Sequence, residues 1–399
     1  MIIDNGVIIV HGATALKIGR MQRSVVGIVD SMDLYRAVGG RDVCRQLSET
    51  FYARVERDPV LRPLFPGKSM RCAVEAFAAF LAQFLGGPAQ DAQERWWLSL
   101  RESHLRFKIG PRERQAWMSN MVEALENVPM DEAVRIALRD LFERSSAYIV
   151  NTGQASGELA TPEDDPSEDR LHCEIAQRWA EQRALDDLVA AIRDGDAGRA
   201  LELIQGPTLE LRFARDRAVF AHVLALMMGG GNDALLKYVE REILADPALA
   251  NVHSRYGRIL LHDASAQGNL RMVELLLRLG ADPNVTTSSG HTPLYCVANE
   301  CRVTGGGNIV RALVRAGAPV DARSRAKQCT ALHMAARRGN TEVAEALVDC
   351  SADIHARDKA GDTPLQRARN CHKTGVVSLL VSRGADGGLH PIPGRHEKT

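Results

Sequence analysis

Apolar residues recur at helical spacing in three stretches of the N-terminal part of the chain. The first stripe is formed by Val43, Leu47, Phe51 and Val55, with Tyr52 on its flank. The second, in a helix predicted from about Arg71 to Leu85, is formed by Ala73, Phe77, Phe80, Leu81 and Phe84. The third, in a helix predicted from about Met130 to Val150, is formed by Ala133, Ile136, Ala137, Leu141 and Tyr148. Since residues three or four apart share one helix face, the pattern predicts three amphipathic helices.

The C-terminal third of the chain repeats itself. Its equivalent leucines, at spacings of 33, 38 and 33 residues, are Leu261, Leu294, Leu332 and Leu365. The ends of the units repeat as well, at Gly280, Gly317, Ser351 and Gly384. A period of this length indicates helical units stacked into a solenoid, because one unit cannot bury its apolar face alone.

Short motifs predict how the helices of these units begin and end. Thr292 and Thr363 suit helix N-caps, and the prolines after them fit the first turn, where no amide donor is needed. The terminal glycines supply the left-handed residue that stops a helix. His262 and His333 occupy one repeat position, which favours hydrogen bonding at a helix start over metal binding.

One repeat is longer than its neighbours because of an insertion near residues 299–307. Most of the insertion is predicted between the two helices of that repeat. It is either a contact loop for a partner or a tolerated loop extension, and the second interpretation is favoured.

Composition and charge exclude several classes of partner. The 399 residues include 50 basic and 50 acidic ones, so no net field attracts nucleic acid or an anionic membrane. No apolar run approaches the roughly 20 residues that span a bilayer. The apolar segment Val7–Val10 is too short for a secretory signal. A cytoplasmic protein is expected.

Cysteine usage is typical of a reducing compartment. The eight cysteines form no CxxC pair and no even disulfide framework, so reduced and mostly buried thiols are predicted. A CxxCH motif is also absent, which excludes covalent attachment of a c-type haem by that motif.

The candidate chemistry lies in the segment Leu100–Gly110. His104 is the only histidine between His11 and His172, and seven of the nine phenylalanines fall between Phe51 and Phe142. One imidazole among apolar and aromatic residues suits an axial haem ligand. A lone histidine in such surroundings is more often an ordinary core or surface residue, so the residues alone leave both interpretations open.

Residues 32–151 resemble a truncated haemoglobin, most closely the group II type. The segments that match are Gly39-Gly40, Phe51–Val55, Asp58–Pro66, Gly86–Pro88 and His104–Trp117. The resemblance implies a non-covalent haem b, with His104 as the proximal iron ligand and Tyr52 and Trp117 as distal donors. It also implies that the remaining cofactor-binding residues are Phe65, Ala73, Phe77 and Phe107.

Several residues depart from the family pattern. Phe65 stands where a tyrosine is usual, Phe77 where leucine is common, and Trp96-Trp97 where a Gly-His pair is usual. Glu102-Ser103 replaces basic or apolar residues beside the proximal position. These changes bear on ligand affinity and propionate contacts, and they retain the iron ligand.

The C-terminal repeats resemble ankyrin repeats in period, opening and ending. An all-α chain follows, with a 2-over-2 truncated globin and an ankyrin solenoid. An acidic stretch with two prolines, two glycines and six carboxylates separates them and favours independent domain motion. The predicted division is an N-terminal extension or start-site artefact (1–31), globin (32–151), linker (152–170), divergent or capping helical repeats or a separate helical domain (171–256), ankyrin repeats (257–389) and a tail (390–399).

The combined resemblance implies a haem protein that binds or transports dioxygen, with nitric oxide or carbon monoxide as other ligands, tethered by its repeats to a protein partner. Nitric oxide dioxygenase or peroxidase-like activity would need a separate reductase, because the sequence shows no flavin or nicotinamide motif. Two alternatives are a haem-based gas or redox sensor that signals through the repeats and a haem-free interaction scaffold.

Overall fold

The computed structural model describes residues 34–65, 69–88, 99–152, 170–254 and 257–385, and all regular structure in these ranges is helical, as predicted. The predicted extension and tail lie outside the described residues, as do residues 153–169 of the predicted linker and the Trp96-Trp97 pair. No described helix is both long and apolar enough to cross a membrane.

The N-terminal region folds as two helix pairs around one core. Its described helices are α1 (Leu34–Ala37), α2 (Gly40–Val55), α3 (Arg71–Phe84), α4 (Leu100–His104), α5 (Pro111–Glu126) and α6 (Glu132–Tyr148), with a 3₁₀ turn at Arg62–Leu64. Helix α2 packs on α3 and α5, and α5 packs on α6. Leu47, Phe51 and Phe142 are fully buried between them. The short α4 leaves one side of this core to loops and to the cavity described below.

The buried face of α6 differs from the predicted one. Ala137 and Leu141 are buried as expected, but Ala133 and Ile136 are exposed. Val134 and Leu138 face the core in their place. The prediction was wrong here because two apolar stripes overlap on this helix, and only packing against α5 selects one of them.

The C-terminal region is a run of helix pairs. Its described helices are α7 (Arg170–Asp194), α8 (Ala197–Ile204), α9 (Pro207–Arg215), α10 (Arg217–Gly229), α11 (Asp233–Ala245), α12 (Leu260–Gln267), α13 (Leu270–Arg278), α14 (Pro293–Glu300), α15 (Gly306–Arg315), α16 (Ala331–Arg338), α17 (Thr341–Asp349), α18 (Pro364–Asn370) and α19 (Thr374–Ser382), with a 3₁₀ turn at Pro247–Asn251. From α12 onward, the first helices of successive pairs pack on one another, and so do the second helices. One apolar core runs from Leu185 to Ala385.

The helix starts follow the sequence motifs. Thr292 Oγ1 accepts a hydrogen bond from Tyr295 N at 3.2 Å, and Thr363 Oγ1 accepts one from Gln366 N at 3.3 Å. A proline occupies the first helical position after each threonine. The predicted caps are confirmed.

The recurrent histidines also bridge neighbouring repeats. His262 Nδ1 accepts a hydrogen bond from Ile259 N at 3.2 Å, and its Nε2–H donates to His291 O in the next repeat at 3.1 Å. His333 makes the same pair of bonds, to Thr330 N at 3.3 Å and Asp362 O at 3.0 Å. The predicted helix-start bond is confirmed, and the bond to the next repeat adds stability between units.

Acidification is expected to weaken the repeat array through His262. Burial lowers the pKa of His262 to about 4, so between pH 6.5 and 4 the unfolded chain binds the proton that the folded chain excludes. The free energy of unfolding then decreases by about 1.4 kcal/mol for each unit by which the pH is lowered within this window. Urea unfolding should show a lower midpoint at pH 5.5 than at pH 7. His262→Gln cannot titrate and should give a shallower pH dependence; an unchanged slope would contradict the assignment.

The second helices of the repeats end in a left-handed residue. Gly280, Gly317 and Gly384 have φ of 83°, 95° and 89°, as predicted, and Ser351 takes the equivalent place with φ of 68°. A side chain in this conformation costs about 1–2 kcal/mol, which the greater freedom of unfolded glycine partly offsets. Ser351 therefore carries backbone strain that glycine would relieve.

Ser351→Gly is expected to stabilise the array by about 1 kcal/mol. The reciprocal change, Gly317→Ser, should destabilise it by a similar amount, because a Cβ at Gly317 meets no atom within 4 Å and only the backbone conformation is penalised. Urea unfolding of both variants measures the two effects. Two variants as stable as the wild type would show that the left-handed position carries no strain.

The insertion lies between α14 and α15, as predicted. Glu342 of α17 accepts hydrogen bonds from Gly305 N and Gly307 N, both at 3.0 Å. Two hydrogen bonds therefore hold the end of the loop against the next repeat.

Helix α7 belongs to both cores. Leu171, Ile175 and Trp179 join the N-terminal core, whereas Leu185, Leu188 and Val189 join the C-terminal one. Its 25 residues form one continuous helix. The two regions thus share one helix, although the acidic stretch alone predicted independent domain motion.

Candidate haem site

A cavity of about 1110 Å³ opens among α2, α3, α4, α5 and α6. Its volume is slightly above the range for small-molecule and cofactor sites, roughly 300–1,000 Å³. The structure brings together on its wall all seven residues that the sequence proposed: Tyr52, Phe65, Ala73, Phe77, His104, Phe107 and Trp117.

His104 lines the cavity, and the hydrogen bonds of its ring identify the nitrogen that could bind a metal. It is the last residue of α4, and its Nδ1 lies 2.7 Å from Leu100 O and 2.9 Å from Ser103 Oγ. A carbonyl oxygen can only accept, so Nδ1 carries the proton and Nε2 keeps its lone pair. Burial lowers the pKa of His104, which favours the neutral ring. This tautomer is the one that binds iron through Nε2.

Ser103 was not proposed as a site residue. Its Oγ–H donates to Leu100 O at 2.6 Å, so the hydroxyl and the His104 imidazole share one acceptor. In the sequence, Ser103 stood out only as a departure from the family pattern.

Two residues with hydrogen-bond donors line the cavity from α2 and α5. Tyr52 and Trp117 both pack against Phe51, with ring centroids 5.0 Å and 5.2 Å from its own. Among the described residues, no hydrogen bond uses the Tyr52 hydroxyl or the Trp117 indole N–H. Burial raises the pKa of Tyr52, so the hydroxyl stays protonated and able to donate.

Aromatic rings line the remaining wall. The Phe65 ring lies 5.6 Å from that of Tyr52 and 5.9 Å from that of Phe107, which in turn lies 6.3 Å from His104. Phe77 adds a ring between Phe51 and Phe142. Ala73, in the first turn of α3, takes up little space, so the cavity stays open on that side.

Cationic side chains that the sequence reasoning did not single out also line the cavity. Arg106 and Lys108 are exposed, and the Arg106 guanidinium lies 4.7 Å from the centre of the Phe107 ring. Arg114 is half-buried and paired with Glu143. The alternation of Arg106 and Lys108 with apolar residues after His104 was the signal that could have indicated a charged rim.

The donor set fits a porphyrin iron better than a bare metal ion. In the described ranges, no group of three or more His, Cys, Asp or Glu side chains could hold a metal. The cavity instead combines one free imidazole nitrogen, an apolar wall and two unused donors. A porphyrin supplies the other iron ligands itself, so a single histidine suffices.

Comparison with known families agrees with this geometry. The model of the bacterial-like globin family matches residues 33–151, and the model for three copies of the ankyrin repeat matches residues 261–358 and 300–389. The resemblances inferred from the sequence are thereby confirmed for both regions.

Individual relatives divide in the same way. The group 2 truncated hemoglobin YjbI of Bacillus subtilis is 35% identical over 30% of this chain and 90% of its own length. The human B-cell lymphoma 3 protein is 35% identical over 37% of this chain, and human ankyrin repeat and SOCS box protein 16 is 36% identical over 28%. These matches span 33% and 24% of the two human proteins.

The globin match therefore covers nearly a whole relative, whereas the ankyrin matches cover only parts of larger proteins. The chain belongs to the group 2 truncated haemoglobin family, and it carries ankyrin repeats C-terminal to its globin region.

Proposed function

We propose that the globin region binds one non-covalent haem b, with His104 as the residue that would hold the iron. In this proposal the haem takes up dioxygen and nitric oxide, and the ankyrin repeats bind a protein partner. The observation that carries the proposal is the presence of His104, Tyr52 and Trp117 together on the wall of one largely apolar cavity. When bound, the haem supplies an iron with one position open to a diatomic ligand.

The backbone of helix α4 orients His104 for this role. The Nδ1–H bond to Leu100 O fixes the tautomer and the ring orientation, and it raises the basicity of Nε2. Ser103 competes for the same carbonyl, so the Nδ1–H bond is weaker than one to an unshared acceptor. Leu100 and Ser103, on the same short helix, thus fix the orientation and the basicity of the His104 ring.

Tyr52 and Trp117 would act on the bound ligand. A diatomic ligand that gains partial negative charge would accept hydrogen bonds from both groups, and the aromatic wall would keep water from competing. Since the pKa of the Tyr52 hydroxyl is raised, the group donates over the whole physiological pH range. The proposed distal donors therefore favour polar ligands such as dioxygen over carbon monoxide.

Arg106 and Lys108 complete the proposed site at its edge. Their exposed cations lie on the cavity wall near His104, where they would pair with the propionates of haem. Exposed pairs of this kind contribute about 0–1 kcal/mol each. They would orient the haem, whereas the apolar cavity and His104 would retain it.

Rapid mixing tests the ligand assignment. Reduced protein loaded with haem is mixed with dioxygen, and the product is then mixed with nitric oxide while absorbance and nitrate are followed. The proposal expects a stable dioxygen-bound spectrum and its conversion to the ferric spectrum with release of nitrate. Oxidation with no dioxygen-bound form would contradict dioxygen binding. Repeated turnover requires an added reductase.

A further inference from the structure

The helix that carries His104 is held at its start by a residue from the C-terminal region. Asp186 of α7 accepts hydrogen bonds from Leu100 N at 2.9 Å and from Arg101 N at 3.1 Å, one on each carboxylate oxygen. The Asp186 side chain is only 3% exposed. One carboxylate therefore satisfies two of the amide donors that a helix start leaves without partners.

The carboxylate is itself held in place. Gln182 Nε2 donates to Asp186 Oδ1 at 2.9 Å, and the Tyr148 hydroxyl is also hydrogen-bonded to Asp186. Both partners come from helices packed on each other, α7 and α6. Asp186 is thus a fixed anchor for the start of α4.

A second bond joins the same two helices. Arg193 of α7 pairs with Glu102 of α4 at 2.8 Å. Glu102 is one of the residues that depart from the family pattern, and a basic side chain at that position would repel Arg193. An acidic residue at position 102 therefore has a physical reason in this chain, because α7 lies beside α4.

Helix α7 also contacts other helices of both regions. In the first half of α7, Arg178 donates a hydrogen bond to Phe84 O at the end of α3, at 3.2 Å. Further along it packs on α8, α9 and α10, which continue into the repeat array. Helix α7 therefore contacts both α4 and the helices that lead into the repeat array.

We propose that Asp186 is a positioning residue for His104, through which helix α7 couples the repeat array to the ligand affinity of the haem. The inference rests on the proposed haem site. His104 is bonded to Leu100 O and Asp186 to Leu100 N, so one residue connects the ligand and the anchor. A shift of His104 would therefore strain the bonds from Leu100 and Arg101 to Asp186. By linkage, a partner that stabilises one position of α7 would change the ligand affinity of the haem. Ligand binding at the haem would in turn change the position of α7.

Asp186→Asn in the full chain tests the anchor, with Asp187→Asn as its matched control. The substituted amide has one acceptor oxygen, and its N–H group faces a backbone donor, so at least one bond to α4 is lost. Asp187 is exposed on the same helix. The readouts are the iron–histidine stretching band of the reduced protein and the carbon monoxide dissociation rate. We expect a shifted band and a rate change of about 5-fold or more for Asp186→Asn, and no change for Asp187→Asn. A wild-type band and rate in Asp186→Asn would overturn the inference.

Hydrogen exchange of the wild-type full chain gives a test that needs no substitution. Protection of α4 and of the peptides covering residues 182–194 is compared between the reduced protein with and without carbon monoxide. A change in both segments supports coupling, and protection that is unchanged in α7 contradicts it. Failure of the haem site itself gives a different result, because the wild type would then show no iron–histidine band.

Discussion

Replacing His104 with glycine is expected to abolish stoichiometric haem binding. Haem would lose its one protein bond to iron, and only the apolar cavity and the exposed cations would remain to hold it. The loss should exceed the roughly 10–100-fold effect of changing an outer-shell partner of a metal ligand. Haem content of the purified variant, measured from absorbance after haem is supplied, checks the result.

Imidazole added to His104→Gly provides the internal control. It supplies the same nitrogen donor in the space that the side chain leaves, so haem binding should return with the spectrum of a histidine-ligated form. His172→Ala is the matched variant, since His172 lies at the junction of α6 and α7 and bonds to Asp140 outside the cavity. Normal haem content in His104→Gly without imidazole would show that another group holds the iron.

Replacing Tyr52 with phenylalanine is expected to speed dioxygen dissociation by about 10–150-fold. The estimate follows from about 1.5–3 kcal/mol for a hydrogen bond to a charged partner. The ring would keep its packing against Phe51 and Phe65, so only the hydroxyl is removed. Trp117→Phe should act in the same direction. Flash photolysis or stopped-flow displacement of dioxygen measures the rates.

Tyr238→Phe is the matched control, because Tyr238 is a buried tyrosine of α11 in the C-terminal core. Carbon monoxide carries less negative charge when bound, so its dissociation rate should change less than that of dioxygen. If neither Tyr52→Phe nor Trp117→Phe alters dioxygen dissociation, the two groups do not contact the ligand.

The parts of the fold that depend on local chemistry were predictable. The helix caps at Thr292 and Thr363 were predictable because a threonine followed by proline is a local signal for a helix start. That signal needs no knowledge of distant residues. The repeat period likewise shows itself within the sequence. For the same reason, His104 could be singled out by its isolation among aromatic residues and by family resemblance.

The parts that depend on contacts between distant segments were not predictable. Asp186 and Leu100 are far apart in the sequence, and nothing near Asp186 marks it as the anchor of another helix. Helix α7 divides its apolar residues between two cores, so it lacks the single stripe of an ordinary amphipathic helix. On α6, two overlapping stripes were equally plausible until α5 was placed against one of them.

The central claim is that His104 holds a gas-accessible haem, and absorption spectroscopy tests it most directly. The full chain is supplied with haem, and spectra are recorded in the ferric, reduced and carbon monoxide-bound forms. We expect one haem per chain and a Soret band that shifts on reduction and shifts again with carbon monoxide. A chain that retains no stoichiometric haem would contradict the claim and leave the ankyrin repeats as the functional part of the molecule.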